Sequence, residues 1–139
     1  MIYILEIKER AIGKGRPRIN TVTHTAYTPE KTKVFEEIIK WNFINKYDVG
    51  IEPSENPFKV EITAEFKPPL RSTKKRIMFL NKKPFTKKPD IDNISKAILD
   101  ALNGLAYKDD NQVTELVAKK KYGLEDRIVI VLEEIVPEV

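Results

Sequence analysis

The sequence contains no cysteine and only one histidine, His24. Without cysteine there is no disulfide framework, and His24 has no nearby serine or second histidine with which to perform nucleophilic or zinc chemistry. No apolar run approaches the roughly 18 residues of a membrane span, and the apolar N-terminal stretch is too short for a signal peptide. We therefore expect a cytoplasmic protein that does not enter a membrane.

The 139 residues are enough for one domain with one core, so we predict a single domain over 1–139. The formal net charge is +4 and the isoelectric point is near 9.2. This modest excess of cations permits nucleic-acid binding without establishing it.

Hydrophobic periodicity predicts strand, helix, strand, basic loop, helix, strand and strand, in that order. We therefore predict an α/β (α+β-like) domain in which a mixed β-sheet packs against two main helices. The predicted elements are a strand over 2–7, a helix from about 29 to 47, a strand over 58–66, a helix after Pro89, and strands over 112–122 and 127–135. Residues 48–57 are predicted to be a polar connection and 137–139 a frayed tail.

The first predicted helix carries a broad apolar face, which indicates a mainly core helix. Trp41 could stack on a nucleic-acid base, but its spacing favours the core or a dimer interface. The members of this face are Val34, Phe35, Ile38, Ile39, Trp41, Phe43 and Tyr47.

The second predicted helix follows Pro89, because proline disfavours helical backbone in the residue before it. Its apolar residues recur at helical spacing from Ile94 to Leu105, and Gly104 suits a left-handed C-terminal turn. Asp92, Lys96 and Asp100 fall on another face at i, i+4 and i+8.

Paired aspartates lie on both sides of this helix, and two interpretations are open. Asp90 and Asp92 could cap the helix, and Asp92 could form an ordinary surface salt bridge with Lys96. However, one cap would suffice, and the adjacent Asp109 and Asp110 repel each other unless a cation lies between them. The sequence does not decide whether Asp109 and Asp110 return to the start of the helix or lie at its far end.

If these carboxylates converge, they form a metal site. Oxygen ligands in a chain without cysteine favour Mg²⁺, with Mn²⁺ as a substitute, over Zn²⁺. Such a site activates water and stabilises charge on a phosphoryl oxygen, and Lys96 could assist the transition state.

Two basic stretches are candidate nucleic-acid contacts. One is the glycine-containing loop around residues 14–18, and the other is the segment 67–89, which holds nine cations and no acid. Prolines argue against a regular helix across 67–89, where we expect a solvated loop that is mobile without a ligand, with Phe79 and Phe85 as possible stacking groups. The candidate DNA-binding residues are Lys14, Arg16, Arg18, Arg71, Lys74, Lys75, Arg76, Lys87 and Lys88.

The chain resembles the RusA family of Holliday-junction resolvases. The resemblance is carried by Asp90-x-Asp92-Asn93-x-x-Lys96, by Asp100-Ala-Leu-Asn-Gly104 and by Asp109-Asp-Asn-Gln-Val113, and it extends to Lys14–Arg18 and Ala26–Lys31. It implies a Mg²⁺-dependent homodimeric endonuclease, often of prophage origin, that resolves four-way DNA junctions by paired symmetric nicks.

The resemblance also implies roles for individual residues. Asp90, Asp92 and Asp110 would be the catalytic metal-binding carboxylates, Lys96 the essential lysine and Asp109 an auxiliary acid. Two other functions remain open: a non-catalytic DNA-binding module, in which the carboxylates only cap or pair, and a general structure-selective nuclease.

Overall fold

The computed structural model, which describes residues 1–47 and 52–137, is built around a four-stranded sheet with its two longest helices on one face. In chain order the elements are β1 Ile2–Ile7, β2 Arg18–Ile19, β3 Ala26–Tyr27, α1 Glu30–Tyr47, β4 Phe58–Phe66, α2 Lys74–Leu80, α3 Ile91–Ala101, β5 Val113–Tyr122 and β6 Arg127–Glu134. The predicted fold class is confirmed. The predicted connection over 48–57 and the predicted tail lie partly outside the described residues.

The sheet has the strand order β1-β6-β4-β5. Strand β6 pairs antiparallel with both β1 and β4, while β4 pairs parallel with β5. The apolar run 128–132 therefore forms a central strand, as its composition predicts. Because β4 and β5 are parallel, the chain must cross over between them, and α2 and α3 lie in this crossover.

The core lies between the sheet and the two long helices. Every second residue of β4, from Phe58 to Phe66, is buried, which confirms the predicted alternation. Helix α1 contributes Phe35, Ile39 and Phe43, and α3 contributes Ile94, Ala97, Ile98 and Ala101. No helix within the described ranges is long and apolar enough to cross a bilayer.

The basic segment 67–89 is more ordered than its composition predicts. Helix α2 forms inside it, with Thr73 accepting a hydrogen bond from the Arg76 amide as its N-cap. The chain after α2 pairs with the end of β5, because the Tyr122 amide donates to Lys83 and the Phe85 amide donates to Lys120. The expectation of a loop throughout this segment is wrong, since it contains α2 and backbone hydrogen bonds join its second half to β5. Its mobility without a ligand stays a prediction.

Two aromatic predictions also need correction. Phe85 is only 5% exposed and stacks on Phe66 with ring centroids 4.1 Å apart, so it belongs to the core and is unavailable to a base. Trp41 is 57% exposed, so the core alternative for this residue is wrong. Phe79 is exposed, as a stacking group would require.

Candidate metal and nucleic-acid site

Helix α3 presents the acidic residues of its first turn without neutralising partners. Asp90 occupies the N-cap position with extended backbone angles, yet its carboxylate makes no capping hydrogen bond. The Asp92 carboxylate accepts a hydrogen bond of 3.0 Å from the adjacent Asn93 amide. Among residues 1–47 and 52–137, neither carboxylate has an ion-pair partner. The capping explanation therefore fails for Asp90, whose oxygens are free to bind a ligand.

Two other parts of the chain hold the start of α3 in place. The Lys14 amide donates to the Asn93 carbonyl at 2.8 Å, and a Cβ on Gly13 would lie 3.0 Å from the Asn93 side chain. This close approach explains why glycine occupies position 13. On the other side, the Lys120 ammonium donates to the carbonyls of Lys87 and Pro89, at 2.7 and 2.8 Å.

The second acidic pair sits on a 3₁₀ turn over Asp110–Gln112. Asp109 caps this turn, and its carboxylate accepts a hydrogen bond from the Asp110 amide at 2.9 Å. Gln112 anchors the turn, because its side-chain amide donates to the carbonyls of Ser54 and Asn56 at 2.8 and 2.9 Å. The turn is therefore fixed by its own capping box and by the segment that leads into β4.

Asp100 lies in the last turn of α3, close to Asp110 of the second acidic pair. Its carboxylate lies 3.3 Å from the Lys14 ammonium and 3.8 Å from the Lys96 ammonium. Lys14 also contacts Glu36 of α1 at 2.5 Å. Asp100 lies near the negative C-terminal end of α3, where a carboxylate is unfavourable, and the two ammonium groups offset that repulsion. The Asp92–Lys96 salt bridge of the first interpretation is absent from the described residues, in which Lys96 pairs with Asp100 instead.

Burial and charge shift the pKa values of this cluster. Burial lowers the pKa of Lys14, but hydrogen bonds and attraction from Glu36 and Asp100 outweigh it, so the pKa is raised. The pKa of Asp110 is raised by burial and by hydrogen bonds to Asp109 and Asp100, whose negative charges add to the effect. Burial, with the nearby charge of Asp110, raises the pKa of Tyr107 as well. Negative charge is therefore crowded around Asp110.

The two acidic pairs lie at opposite ends of α3. Asp110 is beside Asp100, which is eight residues after Asp92 and therefore about 12 Å further along the helix axis. Lys96 lies midway between Asp92 and Asp100, four residues from each of them. Within the described ranges, no group of three carboxylate or imidazole side chains is placed to hold one ion. The structure thus selects the far-end alternative for Asp109 and Asp110.

The predicted DNA-binding cations divide into two kinds. Lys14 is partly buried and bound to two carboxylates, a placement that its sequence context does not indicate. The other eight are exposed, and none of them forms an ion pair with another described residue. They are Arg16, Arg18, Arg71, Lys74, Lys75, Arg76, Lys87 and Lys88.

Three residues of this region are missing from the site predicted from sequence. Asp100 lies on the same helix face as Asp92 and Lys96, and its i, i+8 spacing could have identified it. Glu36 and Lys120 give no local signal, because each acts on a part of the chain that is distant in sequence.

Two comparisons with known proteins bear on this site. A family model described as endodeoxyribonuclease RusA matches residues 10–133, which include both acidic pairs and the basic segment. The chain is also similar to an uncharacterized protein, YqaN, from Bacillus subtilis strain 168, with 48% identity over 50 residues. That match covers 36% of this chain and 35% of the length of YqaN.

Proposed function

The chain belongs to the RusA endodeoxyribonuclease family, and we propose that it is a Mg²⁺-dependent enzyme that resolves four-way DNA junctions by paired symmetric nicks. Family membership supports a nuclease that acts on DNA. The proposal adds three features to this: the metal, the junction as substrate and the symmetry of the cuts.

One observation carries the proposal: two acidic pairs without ion-pair partners flank Lys96 along one helix. Asp90 and Asp92 lie at one end, and Asp109 and Asp110 lie at the other. The chain has 25 lysines and arginines, yet within residues 1–47 and 52–137 none of these is within salt-bridge distance of any of the four carboxylates. Even Lys108, which precedes the second pair, contacts Glu55 instead. Such crowded negative charge favours the binding of a cation from solution.

The carboxylates fit Mg²⁺ by their chemistry. Mg²⁺ prefers oxygen ligands and is commonly bound by one or two carboxylates, with water and substrate phosphate oxygens completing its shell. Pairs of carboxylates therefore suffice, although no three of them meet within the described residues. Asp90 and Asp92 would hold one Mg²⁺ ion at the start of α3, and Asp110 with Asp109 would hold a second ion at its end. Bound Mg²⁺ supplies Lewis-acid stabilisation of phosphoryl charge and a more acidic water.

The remaining roles fall to the protein's own side chains. Lys96 is 62% exposed and only loosely paired with Asp100 at 3.8 Å, so its ammonium group can turn toward a phosphoryl oxygen. There it would neutralise the charge that develops as the phosphodiester bond breaks. Asp109 fixes the backbone of the turn and so orients Asp110. Lys14 holds Asp100 in place from the opposite side.

Two cuts in one junction require two active sites. A four-way junction has pseudo-twofold symmetry, and a homodimer with twofold symmetry would place one site at each of two opposed strands. We therefore include a homodimer in the proposal. Its test is whether a mixed dimer of active and inactive chains makes one nick instead of two.

The proposal is tested with purified protein and an end-labelled four-way junction, in Mg²⁺ or in EDTA, beside a linear duplex of matching sequence. We expect paired symmetric nicks in the junction only and only with Mg²⁺. Asp90→Asn should abolish nicking and retain binding, whereas Glu125→Gln in the exposed turn between β5 and β6 should retain both. Sedimentation equilibrium would establish the dimer.

Two other results would replace the proposal with one of its alternatives. Tight binding to the junction with no nicking in Mg²⁺ or Mn²⁺ would identify a non-catalytic DNA-binding module. Equal cleavage of flaps, RNA and junctions in competition would identify a general structure-selective nuclease.

A further inference from the structure

Two adjoining grooves run past the start of α3. The first, of about 360 Å³, lies beside the segment 67–70, and the second, of about 490 Å³, ends at Asp90. Both are lined by Arg10 and Lys88, so the two grooves adjoin at these residues. Together we call them the 10/88 groove.

Cations dominate the walls of the 10/88 groove. The first half holds one carboxylate, Asp126, which is already paired with Arg10 at 3.1 Å. The second half holds Asp90 as its acid and Lys14, which is paired elsewhere. Four exposed lysines of the groove have no ion-pair partner among the residues that the structure describes, and these are Lys31, Lys67, Lys87 and Lys88.

The arginine at the centre of the groove is held in position. Its guanidinium group lies 5.0 Å from the centroid of the Phe66 ring and is bound to Asp126. The Asp126 carboxylate also accepts a hydrogen bond of 2.9 Å from the Lys67 amide. A cation held in place binds an anion with less loss of side-chain freedom than an exposed, unpaired lysine does.

We propose that the 10/88 groove binds the phosphodiester backbone of one DNA strand and leads it to the carboxylates at the start of α3. This inference rests on the proposed nuclease function. It adds Arg10 and Lys31, which lie outside the two basic stretches, as DNA contacts. It also adds Lys67, which belongs to the basic segment 67–89 but is not among the candidate DNA-binding residues predicted from sequence. It also gives Lys87 and Lys88 a shared role with them.

Charge and shape favour a DNA strand over an acidic protein. The two parts of the groove adjoin, and their unpaired charges are four lysines and Asp90. Asp90 belongs to a carboxylate pair suited to bind Mg²⁺ beside a phosphate. The exposed Leu70 and Pro69 on its wall can contact sugars or base faces but offer no hydrogen-bond donors for a peptide. A strand that follows the groove therefore arrives with its phosphate at Asp90.

The test measures binding in EDTA, where no cleavage occurs. The double variant Lys31→Gln/Lys67→Gln is compared with Lys33→Gln/Lys119→Gln, which removes two exposed lysines outside the groove. Fluorescence anisotropy with a labelled four-way junction gives affinity at several salt concentrations. Each lost phosphate contact lowers the slope of log affinity against log salt by about 0.7–0.9. We expect the groove variant to bind about 25- to 60-fold more weakly at 0.1 M salt, and the control to change less than about fivefold.

If the two double variants bound the junction with equal affinities and equal salt slopes, the proposal that the 10/88 groove binds DNA would be wrong. Retained DNA binding together with lost binding to an acidic polypeptide such as polyglutamate would also overturn it, in favour of a protein partner. Failure of the nuclease proposal is a separate result, because it would appear as absent nicking by the unmodified protein in Mg²⁺. Thermal melting of both variants confirms that they fold.

Discussion

The ammonium group of Lys120 donates a hydrogen bond of 2.8 Å to the carbonyl oxygen of Pro89, the residue immediately before Asp90. A second bond of 2.7 Å reaches the carbonyl of Lys87. One side chain of β5 therefore holds the segment that leads into Asp90, the first of the proposed metal-binding carboxylates. Lys120 acts by positioning, since it touches backbone and none of the proposed metal ligands.

Lys120→Met should loosen this segment. A hydrogen bond to a charged group contributes about 1.5–3 kcal/mol, but Lys120 is partly exposed, so we expect loss of its two bonds to cost only about 2 kcal/mol in urea denaturation. Hydrogen exchange should increase at the Ile94 amide, which donates to the Asp90 carbonyl. The matched control is the exposed neighbour Lys119→Met. Unchanged exchange at Ile94 would contradict a positioning role, even if stability fell.

Lys14 is predicted from sequence to bind DNA, but its side chain lies between Glu36 and Asp100. Lys14→Met leaves the partly buried Glu36 without a cation and leaves Asp100 with only the longer contact to Lys96, so we expect a loss of about 2 kcal/mol in unfolding free energy. Adding Glu36→Gln should restore about half of that loss. If the double variant is no more stable than the single one, the Lys14–Glu36 contact contributes nothing.

The raised pKa of Asp110 predicts a pH dependence. Burial is the first cause, followed by the hydrogen bonds and charges of Asp109 and Asp100. A carboxyl group whose pKa is higher in the folded state stabilises the fold most below its unfolded pKa, about 3.9, and that contribution is lost as pH rises through the folded value. In EDTA, Asp110→Asn should therefore melt at a higher temperature than the unmodified protein at pH 7, with the difference shrinking toward pH 4. Glu125→Gln should show no such trend.

Within the basic segment 67–89, Phe85 belongs to the core and Phe79 lies on the surface. Phe85 is 5% exposed and packs on Phe66 and Tyr122, whereas Phe79 is 64% exposed. Phe85→Ala should destabilise the protein by about 3 kcal/mol, and Phe79→Ala by less than about 0.5 kcal/mol. Thermal and urea denaturation of both variants measure this. Equal destabilisation would show that Phe85 is not a core residue.

Local patterns predict most of the fold. Alternation over 58–66 defines β4, and the apolar run 128–132 defines the central strand β6. Such patterns do not predict the burial of Phe85, because its sequence neighbours include nine cations while its packing partners belong to β4 and β5. The acidic pairs are visible in sequence, but their separation depends on the path from α3 to β5. Asp100 is visible as a motif residue, yet its interaction with Lys14 arises only in the folded chain.

Lys96 gives the sharpest test of the chemistry. It lies midway between the acidic pairs, and Asp100 at 3.8 Å is its ion-pair partner within the described ranges. Lys96→Met should lower junction cleavage by at least about 100-fold, because it removes charge stabilisation that is needed as the phosphodiester bond breaks. Binding in EDTA at 0.1 M salt should fall by no more than about five- to eightfold, the effect of one phosphate contact. Lys33→Met on α1 is the control for loss of a surface lysine.

A structural role for Lys96 makes a different prediction. If Lys96 only neutralises Asp100, then Lys96→Met combined with Asp100→Asn should recover activity, since both charges are gone. We expect the double variant to be no more active than Lys96→Met alone, because the proposed mechanism has the ammonium group act on the substrate. The rates are measured in single turnovers at saturating Mg²⁺. Under these conditions a weaker affinity for the metal does not lower the rate, whereas a missing ammonium group still does. Restored single-turnover cleavage in the double variant would assign Lys96 to charge balance and leave the carboxylates as the catalytic groups.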